Sequence, residues 1–263
     1  MKNLSVVIIT LNEEDRVEEA LKSCRDIADE IVVLDSFSTD KTCEVAARYD
    51  AVIYKNVFND YGSQKNLSLE KASHEWILNL DADERVSERL KNEILAFKQK
   101  PDPEAGEDDV DGADGFLINR KTFYLGRWIK HSGWYPDCKL RLFRKSKSRW
   151  QGRIHEALVL EGKTSRMSGD ILHFTYRNIT DHIQRLNSYS RFQALDIVEK
   201  KKKLLYLRTF LLPPITFLRF YFWKLGILDG FPGLVIALVS SWATASKYLK
   251  AIELKRKSRG KQN

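Results

Sequence analysis

Hydrophobic positions in the first hundred residues form short unbroken runs separated by helix-spaced patterns. Leu4–Thr10 reads Leu-Ser-Val-Val-Ile-Ile-Thr, the composition of a strand buried on both faces. Residues 31–34 and 51–54 repeat that texture, and Trp76, Ile77, Leu78 and Leu80 form a fourth run, too short for a helix. Between the runs, Val17, Ala20, Leu21 and Cys24 recur at helical spacing, as do Val45, Ala46 and Tyr49, and residues 63–72 predict a further helix. Asn12 is placed to cap the first of these, whose opening turn holds Glu13, Glu14 and Asp15 at its positive end. Strands alternating with helices across short loops predict an α/β domain with a mainly parallel central sheet.

The pattern breaks at residues 101–115, where seven acids, two prolines and three glycines stand without a base. That composition predicts a solvated loop or flap, with no chemistry assigned. Beyond it, residues 116–118 and 140–143 read as strands flanking an aromatic-rich segment of Phe123, Tyr124, Trp128, Trp134 and Tyr135. These rings suit either a sugar-stacking platform or plain core. Asn178 is placed to cap a helix carrying Ile179, Ile183, Leu186, Tyr189 and Phe192 on one stripe and ending in residues 200–203, all lysine.

The last segment differs again. Ten uncharged residues separate Arg208 from Arg219, and seventeen separate Asp229 from Lys247. A spanning helix needs about 20 apolar residues, so each run reads as amphipathic or interfacial, with Tyr221, Trp223 and Trp242 suited to the headgroup level. A helical hairpin packed on the body, or a protein interface, is the alternative.

Charge sharpens this division. The 263 residues carry a net charge of +8, which taken whole suggests a nucleic-acid ligand. Residues 200–263 hold 14 lysines and arginines against two acids, a net of +12, while the other 199 residues hold 30 bases and 34 acids, a net of −4. A basic, apolar tail on a mildly acidic body suits an anionic membrane surface and no nucleic acid. Met1-Lys2-Asn3 runs straight into a strand pattern, so no apolar leader is expected. Cys24, Cys43 and Cys138 lie far apart without metal spacing, consistent with a reducing compartment.

Candidate chemistry sits at the ends of the runs. In a parallel α/β sheet, ligands bind beyond the carboxyl ends of the strands, which brings Thr10, Asn12 and Glu13, Asp35, and Asp81 with Asp83 to one rim. Residues i and i+2 of an extended chain project to the same side, so Asp81 and Asp83 can face one point. Two hard oxygen donors suit Mg²⁺ or Mn²⁺ bound together with substrate phosphates. A nucleotide diphosphate and its metal would fill such a crevice.

Three of these stretches, Ser5-Val-Val-Ile-Ile-Thr-Leu-Asn-Glu13, Ile31-Val-Val-Leu-Asp-Ser-Phe-Ser-Thr-Asp40 and Asn79-Leu-Asp-Ala-Asp83, resemble the inverting glycosyltransferases of family 2, which have the GT-A fold. Trp134-Tyr-Pro-Asp-Cys-Lys-Leu-Arg-Leu-Phe-Arg144, Trp150, His155-Glu156 and Lys224-Leu-Gly-Ile-Leu-Asp-Gly230 resemble the bacterial branch that includes lipopolysaccharide inner-core β-1,4-glucosyltransferases. The resemblance implies a GT-A catalytic domain over residues 1–199, with a nucleotide-sugar part in 1–100 and an acceptor-side part in 115–199. The helical, membrane-associating tail is 200–263. By the same resemblance Thr10, Asn12, Glu13 and Asp35 line the nucleoside pocket, with Asp35 reading the uracil edge. Lys65 contacts the nucleotide, Asp81 lies near the ribose, and Asp83 binds the Mg²⁺ or Mn²⁺ that bridges the diphosphate. Asp137 is the implied base, with Glu156 as its alternative.

The sequence departs from the family pattern in two places. Ser36-Phe37 replaces the usual acid and glycine of the second motif, and Arg85 stands where some members carry a further metal ligand. The metal site is then expected to be completed by water or by a distant residue such as His155. The implied partners are a UDP-sugar, UDP-glucose first, and a glycolipid or lipopolysaccharide-core acceptor. The implied location is peripheral, at the cytoplasmic face of the bacterial inner membrane.

Overall fold

The structure, a computed structural model, describes residues 2–101, 112–152 and 156–260. The acidic stretch expected to form a flap lies largely outside these residues, as does His155. The chain forms two compact units, one of Met1–Lys121 with Asp137–His173, the other of Thr122–Pro136 with Phe174–Asn263.

The first unit is built on a mixed sheet. Strands β1 (Leu4–Thr10), β2 (Glu30–Asp35), β3 (Val52–Lys55) and β4 (Trp76–Asp81) are parallel, in the order β3-β2-β1-β4. Beyond β4 the sheet turns antiparallel, through β8 (Asp137–Arg144) to β6 (Gly115–Tyr124). It ends with β11 (Thr164–His173) beside β5 (Glu84–Val86). The parallel character expected from the sequence is therefore that of the N-terminal half.

Alternate side chains of β1 explain its continuous apolar run. Leu4, Val6 and Ile8 enter one core with Val17, Ala20 and Leu21 of α1 (Glu14–Cys24) and Leu90 and Ile94 of α4 (Glu88–Gln99). Val7 enters the opposite core with Ile77, Phe143, Trp150 and Leu69 of α3 (Tyr61–Lys71). Ser87 and Asp60 cap α4 and α3 by accepting the amide hydrogens of Leu90 and Ser63. Gly169 of β11 has to be glycine, because a Cβ there would lie 2.4 Å from the backbone of Leu90. A short helix α2 (Thr42–Ala47) follows β2, and a separate hairpin is formed by β9 (Ser148–Gln151) and β10 (Ala157–Leu160).

The second unit is mostly helical. It contains α5 (Ile179–Glu199), α6 (Leu205–Leu218) and the long α7 (Phe231–Gly260), with the short β7 (Arg127–Trp128) paired to the end of β6. Asn178 caps α5 as expected, its side chain accepting the Asp181 amide at 2.9 Å. Ala194 and Ile197 of α5 are buried with Leu205, Tyr248 and Ala251, and Tyr124 and Ile129 with Val235 and Ile236. Asp229 is buried, accepting hydrogen bonds from the amides of Lys130 and His131 and from the Ser132 hydroxyl. Gly233 opens α7 against the Gly226 carbonyl oxygen, where a Cβ would come within 1.8 Å. Among the described residues, no helix is long and apolar enough to cross a membrane.

Candidate active site

The loops after β1 and β2 are tied to each other. Asp35 is fully buried and accepts hydrogen bonds from the Thr10 hydroxyl at 3.0 Å and from the Ser38 amide at 2.8 Å. Asn12 does not cap α1. It adopts a left-handed backbone (φ 55°), donates its amide to Ser38 Oγ and accepts the Thr39 amide on its side chain. The amides of Glu13 and Glu14 are instead satisfied by Thr42 Oγ1 and Asp40 from across the crevice. Capping from the neighbouring loop fixes both strand-ends as one surface, on which Phe37 stands half exposed at φ 61°.

Helix α3 faces this rim with a polar turn that is buried. Gln64 donates to Ser36 Oγ, and Asn66 exchanges two 2.9 Å hydrogen bonds with the backbone of Trp150. Lys65 between them is 6% exposed, with Nζ 4.5 Å from the Trp150 ring centroid, 3.2 Å from Glu156 and 3.6 Å from Asp81.

Asp81 and Asp83 face different partners. Asp81 ends β4 between Lys65 and Arg141, whose Nη2 is 2.9 Å from its Oδ2. Burial alone would raise its carboxyl, but Arg141 and then Lys65 outweigh that and hold it far below the ordinary range. Asp83, in the turn to β5, has Arg16 Nη1 and His173 Nε2 each 3.5 Å from its Oδ2. Sequence reasoning missed His173, which closes β11; its only sequence signal is a lone histidine after an alternating strand.

A buried charge cluster runs from Asp81 toward Asp137. Arg141 of β8, 4% exposed, donates to Asn79, Asp81 and Glu84. Glu84 is fully buried, and burial lifts its carboxyl above the usual value against the pull of Arg141. Arg120 reaches Glu84 at 3.5 Å and donates two hydrogen bonds to Asp137, of 2.9 and 2.7 Å, while Lys139 lies 3.1 Å from the other Asp137 oxygen. Burial would raise the Asp137 carboxyl, but Arg120 and then Lys139 outweigh that and lower it from its ordinary value, so it is ionised at neutral pH.

Lys65, Asp81, Arg120, Lys139, Arg141, Trp150 and Glu156 line a cavity of about 400 Å³. The four bases on its wall (Lys65, Arg120, Lys139, Arg141) are already engaged by Asp81 and Glu156, which also line it, and by Glu84 and Asp137 outside it, so an incoming diphosphate would gain from a further positive charge. Asp83 could hold the cation that supplies it, its carboxylate being the hard oxygen donor that Mg²⁺ and Mn²⁺ take, and His173, which shares the Asp83 Oδ2 with Arg16, would add an imidazole better suited to Mn²⁺. Among the described residues, no group of three His, Cys, Asp or Glu side chains is placed to hold a metal alone. Substrate oxygens and water would therefore complete the shell.

Comparison with known proteins decides the class. The family model for glycosyl transferase family 2 matches residues 5–154, which include every strand-end just described up to β9. The chain is a family 2 glycosyltransferase. The enzyme is 33% identical to the lipopolysaccharide core biosynthesis glycosyltransferase LpsC of Rhizobium meliloti, over 96% of this chain and 94% of that protein. It is 29% identical to the uncharacterized glycosyltransferase RT0209 of Rickettsia typhi, over 98% and 90%. Among solved structures, Staphylococcus aureus TarS with UDP-GlcNAc aligns at 16% identity and a TM-score of 0.48, covering 99% of this glycosyltransferase and 92% of that chain.

Proposed function

We propose that this enzyme transfers a hexose, glucose first, from a UDP-sugar to a saccharide acceptor of the lipopolysaccharide core or a related glycolipid. Transfer proceeds with inversion and depends on Mn²⁺ or Mg²⁺. The observation that carries the reading is the pairing of Asp83 with His173 beside the Lys65–Asp81–Arg141 cavity. The acceptor class rests on the likeness to LpsC.

Thr10, Asn12, Glu13 and Asp35 frame the nucleoside pocket; Lys65 faces the nucleotide and Asp81 the ribose. A divalent cation held by Asp83 and His173 would supply the positive charge that the leaving diphosphate demands. Asp137 takes the proton of the acceptor hydroxyl as its oxygen bonds to the anomeric carbon and the bond to the diphosphate breaks. A strongly acidic carboxyl suffices, because the hydroxyl loses its proton only as the new bond forms. Glu156, 3.2 Å from Lys65, is the alternative base. The site works at the cytoplasmic face of the inner membrane, with the protein attached peripherally.

UDP release measured across a panel of UDP-sugars, with and without Mn²⁺, tests this. UDP-glucose is expected to turn over fastest and excess chelator to stop turnover. Calorimetry should show Asp83→Asn and His173→Ala each losing the metal-dependent part of UDP affinity. Undiminished turnover in excess chelator would sink the metal assignment, and silence with every UDP-sugar would sink the donor class.

A further inference from the structure

The second unit carries many apolar side chains that stay exposed among the described residues. Of 28 large hydrophobic side chains exposed among the described residues, sixteen fall between Leu204 and Leu249. Trp223 is 84% exposed, Phe210 76% and Phe231 66%. They follow helical spacing: Leu207, Phe210, Leu211, Ile215 and Leu218 recur on α6, and Phe231, Leu238, Trp242 and Leu249 on α7. Exposed large apolar side chains concentrated in one segment in this way mark an interaction surface.

Charge identifies the occupant. From residue 205 to 247 the sequence contains one acid, Asp229, and that acid is buried under Lys130–Ser132. Arg208, Arg219 and Lys224, by contrast, are all exposed. A second copy of this chain would bring like charges together across the interface with no exposed acid from this stretch to answer them. A nucleic acid would leave the aromatic rings in water. Rings at headgroup level flanked by lysine and arginine are what an anionic bilayer surface binds.

We infer that the α6–α7 hairpin is a monotopic membrane anchor, lying in the interface of an anionic phospholipid leaflet. Phe210, Trp223 and Phe231 are the inserted side chains, and Arg208, Arg219 and Lys224 pair with lipid phosphates. This rests on the reading of the protein as a membrane-surface enzyme and specifies the surface that makes it one. Among the described residues no helix is long and apolar enough to cross the bilayer, so this attachment is reversible, and its electrostatic part weakens with salt.

The test is co-sedimentation of the full chain with vesicles of phosphatidylglycerol and phosphatidylcholine, run without any nucleotide-sugar so that its result is independent of the donor. The wild type should bind, with affinity falling but not vanishing between low and high salt. The triple variant Phe210→Ser/Trp223→Ser/Phe231→Ser should lose about 1,000-fold or more in partitioning, given three inserted rings. Arg208→Gln/Arg219→Gln/Lys224→Gln should lose part of the salt dependence, the lysines of 200–203 and 247–257 remaining, while retaining binding. Because these side chains are exposed, both variants should keep the wild-type melting temperature and UDP release. Absent vesicle binding by the wild type, or undiminished binding by a folded ring variant, overturns the inference. So does a stable wild-type dimer that the ring variant dissolves, since the surface would then belong to a second copy.

Discussion

At the scale of single residues, the decisive question is which carboxylate takes the acceptor proton. Asp137 is clamped by Arg120 and Lys139, which favour its ionised form. Asp137→Asn keeps the shape and removes the basicity, so donor affinity should hold while transfer falls by roughly 10²–10⁴. If instead Glu156→Gln shows that profile and Asp137→Asn does not, the roles exchange. The depressed carboxyl also sets the sign of the pH response. Because Arg120 and Lys139 outweigh burial and lower the Asp137 carboxyl, it stays ionised further into acid than an ordinary aspartate, so its contribution to kcat/KM should persist through mildly acidic pH and fail only beneath the usual carboxylate range. Arg120→Gln removes the stronger of the two electrostatic pulls and should move the acid limb upward. Asp35, Asp81 and Asp83 were legible because they end apolar runs. His173 and Arg141 were not, because their meaning comes from strands that neighbour Asp83 and Asp81 only after folding.

At the scale of elements, β4 and β8 are joined by side chains as well as by their ladder. Arg141 lies among Asn79, Asp81 and Glu84 with almost no exposure, and each of the two acids depends on it for charge balance. Arg141→Met would leave these carboxyls buried beside a neutral side chain. The expected cost is about 3–5 kcal/mol in urea denaturation, the usual size for breaking a buried pair from one side. A loss under about 1 kcal/mol would show that water already reaches the cluster. The parallel strands were readable from composition, since burial on both faces demands an unbroken apolar run. The antiparallel half was less readable, because pairing order depends on contacts remote in sequence. Of the stripe Ile179, Ile183, Leu186, Tyr189 and Phe192 on α5, all but the half-buried Leu186 are exposed, while the buried face holds His182, Ser190, Ala194 and Ile197. Periodicity marked a stripe there and could not say which side the protein covers.

At the scale of the whole molecule, the sequence suggests a boundary at residues 199 and 200, where α5 ends and the lysine run begins. The compact units divide between Lys121 and Thr122, Pro136 and Asp137, and His173 and Phe174, and α5 falls in the unit of the C-terminal helices. Those helices are therefore core as well as surface. Tyr124 and Ile129 are buried with Val235 and Ile236, Ala194 and Ile197 with Leu205, Tyr248 and Ala251, and the 130–132 turn hangs on Asp229. Cutting the chain after Glu199 would uncover four of these side chains at about 1–2 kcal/mol each, a sum comparable with the whole stability of an ordinary domain. The truncated chain should thus aggregate or melt well below the full-length protein even in lipid-free buffer, a result readable by soluble yield and thermal unfolding. Its failure to bind vesicles would then say nothing about membrane contact, whereas the exposed-ring variant, which leaves every one of these packing partners in place, separates the two roles. A truncated chain as stable as the full-length protein would mean that α5 and residues 122–136 hold together without the hairpin, and the helices would then be surface alone.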